Sequence, residues 1–177
     1  IIFLTLENFS KNLHCKFNSL SENQIKIEVQ HVIDYIQTTI SIIRKKSSSP
    51  IILTDFIEPI FPSYGLLDHS TLKGEKHNIQ KLNFELRNLV SSKHGVFILP
   101  LNQLASKIGY NNFFDTKQWY LSTLPYSKDG LQEIAKLISV FVSGFNGKNK
   151  KCLVLDCDNV LWGGILGEDG PGGIKIG

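Results

Sequence analysis

The chain has 177 residues and a mass of 19.9 kDa, with 42% hydrophobic and 20% charged residues. This composition is typical of a core-forming protein and excludes a disordered tail or a collagen-like rod. The formal net charge of +3 is too small to predict a nucleic-acid partner, which usually requires a clustered basic stripe as well. No apolar stretch approaches the ~20 residues of a spanning helix, so we predict no membrane insertion.

The cysteines and the start of the chain indicate its context. Cys15, Cys152 and Cys157 are an odd number without a Cys-x-x-Cys pair, so the sequence predicts neither a disulfide framework nor a zinc site. A reducing, cytoplasmic compartment fits this usage best. The chain contains no Met and opens on an apolar run at residues 1–4, so we expect it to be the interior of a longer protein.

The first half of the chain predicts helices between short apolar strands. Residues 1–6 are an apolar run that predicts a strand. Ser21 and Gln24 have capping-box spacing, and they predict the start of a long amphipathic helix that ends before Pro50. Residues 51–53 then predict a second strand. The apolar face of the helix recurs at helical intervals at Ile25, Val29, Val32, Ile33, Ile36, Ile40 and Ile43.

The second half repeats the alternation after an irregular segment. Residues 58–78 lack a period, and either a functional lid or a plain surface loop explains them equally well. A helical face then begins at Ile79 and a stop is predicted at Gly95, before a strand at 96–99 and a short helix at 101–108. Ser127 is expected to cap a last helix. Such alternation predicts an α/β protein with a parallel sheet covered by helices on both faces.

A polar, glycine-containing segment at 144–151 predicts a domain boundary. We therefore assign residues 1–147 to one domain and residues 148–177 to the start of another. The lysines of this segment are interpreted as a solvated face rather than a phosphate site.

Two carboxylates carry the predicted chemistry. Residues 152–155 predict a buried strand that ends in Asp156 and Asp158, and ligands of open α/β sheets bind where strands end. Two like charges this close call for a cation, most naturally Mg²⁺. One carboxylate could attack phosphorus while the other moves a proton. The spacing alone leaves ordinary turn chemistry equally open, and Cys157 between the two acids is expected to be a small core residue.

The run from 151 to 170 resembles the first motif of the haloacid dehalogenase (HAD) superfamily in its FkbH-like version. The resemblance rests on Asp156-Cys157-Asp158 together with Trp162-Gly163-Gly164 and the Gly-Glu-Asp-Gly run at 167–170. It implies that Asp156 is the nucleophile and a metal ligand, and that Asp158 is the general acid/base and a second metal ligand. It also implies a Rossmann-like HAD domain that is truncated here. Because the later superfamily motifs would follow Gly177, we expect this chain alone to be inactive.

The resemblance to FkbH-like proteins extends upstream. Their N-terminal domain is similar to SGNH hydrolases, and their linking segment is similar to residues 114–147, including Trp119-Tyr120 and the run at 124–127. This implies a three-layer αβα (SGNH/flavodoxin-like) domain. Members in polyketide biosynthesis load a glyceryl unit from a phosphorylated glycerate onto an acyl carrier protein. The resemblance thus implies a phosphorylated three-carbon acid as substrate and an acyl carrier protein as partner.

Two other interpretations concern the first domain. A serine esterase would need a late Asp-x-x-His, whereas residues 126–130 read Tyr-Ser-Lys-Asp-Gly, so esterase activity is the least favoured. Asn8 falls where the SGNH family often has an oxyanion-hole residue, but a turn residue is the preferred interpretation. The domain could instead be a non-catalytic module that docks a carrier protein through the apolar loop at 61–72. The five histidines lack metal-ligand spacing and are expected to be scattered over the surface.

Overall fold

A computed structural model describes residues 1–148 and 152–175. These residues form two compact units, Ile1–Ile138 and Ser139–Gly177. The strands are β1 (Ile51–Thr54) and β2 (Val96–Leu99), and 3-10 turns lie at Phe17–Ser19 and Gly65–Ser70. The helices are α1 (Leu6–Phe9), α2 (Lys11–Cys15), α3 (Glu22–Arg44), α4 (Glu75–Ser91), α5 (Leu101–Ile108), α6 (Tyr110–Phe113), α7 (Thr116–Ser122), α8 (Lys128–Phe145) and α9 (Leu166–Gly173).

Within the described residues, the sheet consists of β1 and β2, which pair in parallel from Ile51 opposite Val96 to Thr54 opposite Leu99. The strand predicted at residues 1–6 is reduced to a parallel bridge between Ile2 and Leu53. The next donor, Leu4 N–H, meets the Thr54 hydroxyl at 2.7 Å instead of a backbone carbonyl, and helix α1 then begins. The α/β class is confirmed, in a mostly helical form with a small parallel sheet.

Helix α3 provides the largest apolar face of the core. Its predicted capping box is present: Gln24 N–H donates to Ser21 Oγ, and Ser21 N–H donates to Gln24 Oε1 at 2.8 Å. The apolar residues at helical spacing are buried, as predicted, except that Ile43 is only partly buried. They pack with α4, β1 and β2 into one hydrophobic cluster, in which Leu82 and Leu86 of α4 are fully buried. Burial of this apolar surface is the main stabilising contribution.

The irregular segment at 58–78 is anchored rather than structureless. The carboxylate of Asp68, only 2% exposed, accepts the backbone N–H groups of Glu75 and Lys76 at 2.7 and 3.0 Å. It thereby satisfies the first free donors of α4, whose N-terminal positive end also favours a negative charge. Helix α4 therefore begins at Glu75, four residues before Ile79, where the apolar period starts. Glu75 in turn accepts the N–H and hydroxyl of Ser63.

Other predicted elements are confirmed with small shifts. Helix α5 and strand β2 have the predicted bounds, and Ser127 Oγ accepts the Gly130 N–H at the start of α8. Helix α4 ends at Ser91, before the predicted stop at Gly95, which instead adopts a φ of +70° in the turn into β2. In the described part of the chain, no helix is long and apolar enough to cross a bilayer.

Two predictions for the second unit are wrong. Residues 152–155 form no strand, and Leu153 and Val154 are 75% and 87% exposed. Cys157, expected in a core, is exposed like the other two cysteines. A strand persists only by pairing with a neighbour, and residues 152–155 pair with none of the described strands. The domain boundary between 147 and 148 stays a prediction.

The backbone that leaves β1 is held by three polar side chains of the first unit. Asn83, which is 2% exposed, accepts the Phe56 N–H and donates to the Phe56 carbonyl, both at 2.8 Å. Asn102 donates to the same carbonyl at 2.8 Å and accepts the Glu58 N–H at 2.9 Å. The Asp55 carboxylate accepts the Leu101 N–H at 2.7 Å at the start of α5. Buried backbone groups without a ladder partner are thus satisfied by side chains.

Replacing Asn83 tests the importance of this attachment. Asn83→Ala leaves the buried N–H and carbonyl of Phe56 short of partners, and we expect a loss of about 2–4 kcal/mol in the free energy of unfolding. Asn88→Ala, an exposed asparagine of the same helix, is the matched control and should change it by less than about 0.5 kcal/mol. Urea denaturation measures both. Equal effects of the two substitutions would contradict the assigned role of Asn83.

The Asp55 carboxylate predicts a pH dependence of stability. Burial raises its pKa, and the hydrogen bonds from Asn102 and Leu101 oppose that rise only in part. The folded protein therefore holds the proton more tightly than the unfolded chain, in which the pKa is about 3.9. The stabilising contribution is fully present below the unfolded pKa and is lost as the pH rises through the folded pKa.

The variant Asp55→Asn removes this titration. Measured by urea denaturation from about pH 4 to pH 7, the free energy of unfolding of the wild type should fall relative to that of the variant. The variant also loses the bond from Asn102 Nδ2 to Asp55, so its free energy of unfolding is expected to differ from that of the wild type by a constant amount. The test is therefore how the difference between the two free energies changes with pH. Parallel curves would contradict the raised pKa.

Candidate functional site

Asp156 and Asp158 lie in one tight turn of the second unit. The Asp156 carboxylate accepts the N–H of Cys157 at 2.8 Å and is exposed. The Asp158 carboxylate is partly buried, and its Oδ1 accepts the indole N–H of Trp162 and the backbone N–H of Leu166, each at 3.1 Å. The structure thus connects Asp158 to the tryptophan of the Trp-Gly-Gly extension and leaves Asp156 open to solvent.

The glycine-rich segment that follows closes on itself. Asn159, in the left-handed region at φ +56°, accepts the Gly164 N–H through its side chain at 2.9 Å. Gly163 and Lys175 form an antiparallel bridge with both backbone hydrogen bonds at 2.8 Å. Gly164 has a φ of +104°, a conformation that a residue with a Cβ rarely adopts. The glycines therefore permit a closed loop after the two aspartates.

Carboxylate and carbonyl oxygens are the hard ligands that Mg²⁺ prefers, so the donor types of this turn fit the implied metal. Residues 1–148 and 152–175 contain no group of three or more His, Cys, Asp or Glu side chains arranged to hold a metal ion. Asp156 and Asp158 could therefore provide only part of a ligand set. Their assignment as catalytic and metal-binding residues stays a prediction.

Sequence reasoning missed a second group of polar residues, at the carboxyl edge of the small sheet. Asp55 directly follows β1 and is buried. The strand-end rule that selected Asp156 selects Asp55 equally well, since each acid follows an apolar run. Asn83 gives no such signal, because an asparagine within a helix is recognisable as buried only once the helix is packed.

The positions examined for esterase chemistry contain an acid and a histidine in contact. Glu7, at the start of α1, lies 3.4 Å from Nε2 of His14. His14 is on the surface, as expected for the scattered histidines, and Glu7 precedes Asn8, for which a turn role was the preferred interpretation. The pair provides no nucleophile, so the missing late histidine still argues against a serine esterase.

Comparison with known proteins identifies the first unit. Residues 2–142 of this chain match the family model of the FkbH N-terminal domain. The chain therefore belongs to the FkbH family, and the resemblance seen in the sequence is confirmed. The matched residues end before Asp156, so the family match does not extend to the two aspartates. No match was found among curated proteins.

A solved structure shares the fold. It is the N-terminal part of the protein BF1531 from Bacteroides fragilis, described as containing a phosphatase domain complexed with Mg. The two proteins superpose with a TM-score of 0.68 at 23% sequence identity, over 98% of this chain and 44% of that chain. This chain thus spans less than half the length of its structural relative, and at this identity the likeness shows a common fold.

Proposed function

We propose that this chain is part of an FkbH-like enzyme that transfers or hydrolyses a phosphoryl group with Mg²⁺ at Asp156 and Asp158. The observation that carries the proposal is the closed turn in which Asp158 is held by Trp162 and Leu166 while Asp156 stays accessible. A nucleophile must reach phosphorus, whereas a group that moves a proton benefits from a fixed orientation. The accessible Asp156 thus fits the nucleophile, and the hydrogen-bonded Asp158 fits the group that moves a proton.

In this proposal Asp156 attacks phosphorus, and the bond from phosphorus to the substrate oxygen breaks. Asp158 donates its proton to that leaving oxygen, and it then takes a proton from the water that hydrolyses the aspartyl-phosphate. A bound Mg²⁺ would reduce the repulsion between the carboxylates and the phosphate charge. Asp156 and Asp158 would provide oxygen ligands to it.

The finer assignments rest on the FkbH family membership. We propose a phosphorylated glycerate as substrate and an acyl carrier protein as acceptor of the glyceryl unit. The cytoplasmic location that we also propose rests on the cysteine usage instead. We also propose that residues 148–177 open a Rossmann-like HAD domain and that residues 1–147 belong to a three-layer SGNH-like domain. The structural relative with a phosphatase domain and Mg supports this context.

Substitution of the two aspartates in the protein made from the complete coding sequence tests the catalytic roles. Phosphate release from 3-phosphoglycerate should require Mg²⁺. Asp156→Asn should lower the rate about 10³-fold or more, because the nucleophile is lost. Asp158→Asn should lower it about 10²–10⁴-fold, because proton transfer is lost.

The control is Asp129→Asn, an exposed carboxylate in the first turn of α8, which should leave the rate within about twofold. Mass spectrometry of acid-quenched enzyme should find one phosphoryl group on the peptide that contains Asp156. An unimpaired Asp156→Asn enzyme would disprove the nucleophile assignment.

A second candidate function is docking of a carrier protein by the first unit. The segment at 61–72 exposes four large apolar side chains, each between 73% and 91% exposed: Phe61, Leu66, Leu67 and Leu72. The segment is anchored near its start by the contact of Ser63 with Glu75 and in its middle by Asp68, and these contacts hold the backbone that carries its apolar side chains. Clustered exposed apolar groups are typical of an interaction surface.

Substitutions within this segment test the docking function in the full-length protein. Leu66→Ser should weaken binding of an acyl carrier protein roughly tenfold or more in calorimetry, as expected for a central apolar contact. Phe84→Ser, which replaces a 56% exposed apolar residue of α4, is the control and should not change it. Equal affinities for Leu66→Ser and wild type would contradict docking at this segment.

A further inference from the structure

A cavity of about 400 Å³ lies at the carboxyl edge of the small sheet. Its walls come from the residues after the Ile2 bridge, the residues after β1, and the segment that contains α7. Ligands of parallel α/β sheets bind at this edge, and the volume lies within the range of small-molecule pockets. The lining residues given by the described part of the chain belong to the first unit, whereas Asp156 and Asp158 belong to the second.

The cavity wall contains the hydroxyl of Tyr126, which is available to bond to a ligand. Tyr126 is 3% exposed, and its ring packs edge-on against Phe113 at a centroid distance of 5.6 Å. Within residues 1–148 and 152–175, its hydroxyl makes no hydrogen bond. Every fully enclosed side-chain oxygen of those residues has a hydrogen-bond partner. The Tyr126 hydroxyl is therefore not fully enclosed, and it is accessible from the cavity that Tyr126 lines. An accessible hydroxyl that bonds to none of these residues is free to bond to a molecule that enters the cavity.

The charges around the cavity restrict what can bind. Its lining includes Glu7, Glu75 and Asp115, and His14 is the only basic side chain that residues 1–148 and 152–175 contribute to it. Burial and the nearby charges of Asp55 and Glu7 raise the pKa of Tyr126 to about 12. The hydroxyl is therefore protonated at neutral pH and can donate a hydrogen bond. An anionic ligand would meet several carboxylates, and none of the described residues in the lining is a lysine or arginine.

The rest of the wall is mainly apolar. Trp119 and Phe114 contribute aromatic surface, and Ile57, Pro59 and Pro125 contribute aliphatic surface. The attachment of the backbone after β1 by Asn83 and Asn102 holds Phe56 and Glu58 on either side of Ile57, so this wall is formed before any ligand arrives. A preformed wall lowers the cost of binding.

We propose that this cavity binds an uncharged molecule with an apolar body and an amide group. The carbonyl of the amide would accept a hydrogen bond from the Tyr126 hydroxyl, and its N–H would face the carboxylate of Glu7. The apolar body would lie against Trp119 and Phe114. The cavity would thus be a second ligand site, independent of phosphoryl transfer and unsuited to a phosphorylated acid.

The test uses hexanamide and hexanoate, which share an apolar chain and differ in the charge of the head group. Binding to the full-length protein is followed by tryptophan fluorescence and, independently, by calorimetry, both without Mg²⁺ or phosphate ester. Hexanamide should cause a saturable fluorescence change that Trp119→Phe abolishes, since Trp162 does not line the cavity. Hexanoate should bind roughly tenfold more weakly or worse.

Substitution of the tyrosine then separates a ligand contact from a structural role. Tyr126→Phe should weaken hexanamide binding roughly two- to tenfold while leaving the melting temperature unchanged or higher, because the hydroxyl bonds to none of the described residues. Tyr120→Phe, at an 82% exposed position, should change neither quantity. Absence of saturable binding, equal binding of hexanoate, or unchanged affinity in Tyr126→Phe would each overturn the proposal. None of these results depends on Asp156.

Discussion

The short parallel sheet obliges the chain to satisfy its backbone with side chains just where the strands end. Beyond Thr54, the N–H and carbonyl of Phe56 bond to Asn83 and Asn102 instead of to a neighbouring strand. These bonds join β1 to α4 and α5 at one point. The cavity wall at Ile57 depends on them, because no ladder holds that segment.

The charge distribution separates two kinds of chemistry. The cavity of the first unit is lined by carboxylates and apolar groups, which disfavours anions. The turn that contains Asp156 and Asp158 also has two carboxylates, but it is open to solvent, where a divalent cation could compensate them. The proposed phosphorylated substrate would therefore need a bound metal at the second unit, whereas the ligand proposed for the first unit is uncharged.

The sequence predicted the helices well and the sheet less well. Helix α3 was recognisable from Ser21, Gln24 and an apolar period of 3.6, because capping and amphipathicity act over a few residues. The run at 152–155 has the same apolar character as β1 but forms no strand, since strand formation depends on a partner that local sequence cannot reveal. Likewise, α4 begins early because Asp68, a residue from the preceding loop, caps it.

By itself, the sequence determined the α/β class, the family, the long helices and the two aspartates as a candidate pair. The class and the helices follow from local sequence patterns, and the family and the aspartate pair follow from a motif of consecutive residues. Only the tertiary structure decided that Trp162 holds Asp158 and that Asn83 holds the backbone after β1. It also decided that the Tyr126 hydroxyl, which bonds to none of the described residues, lies beside a cavity. Only the packing of the folded chain determines which residues meet and which buried polar atoms find hydrogen-bond partners.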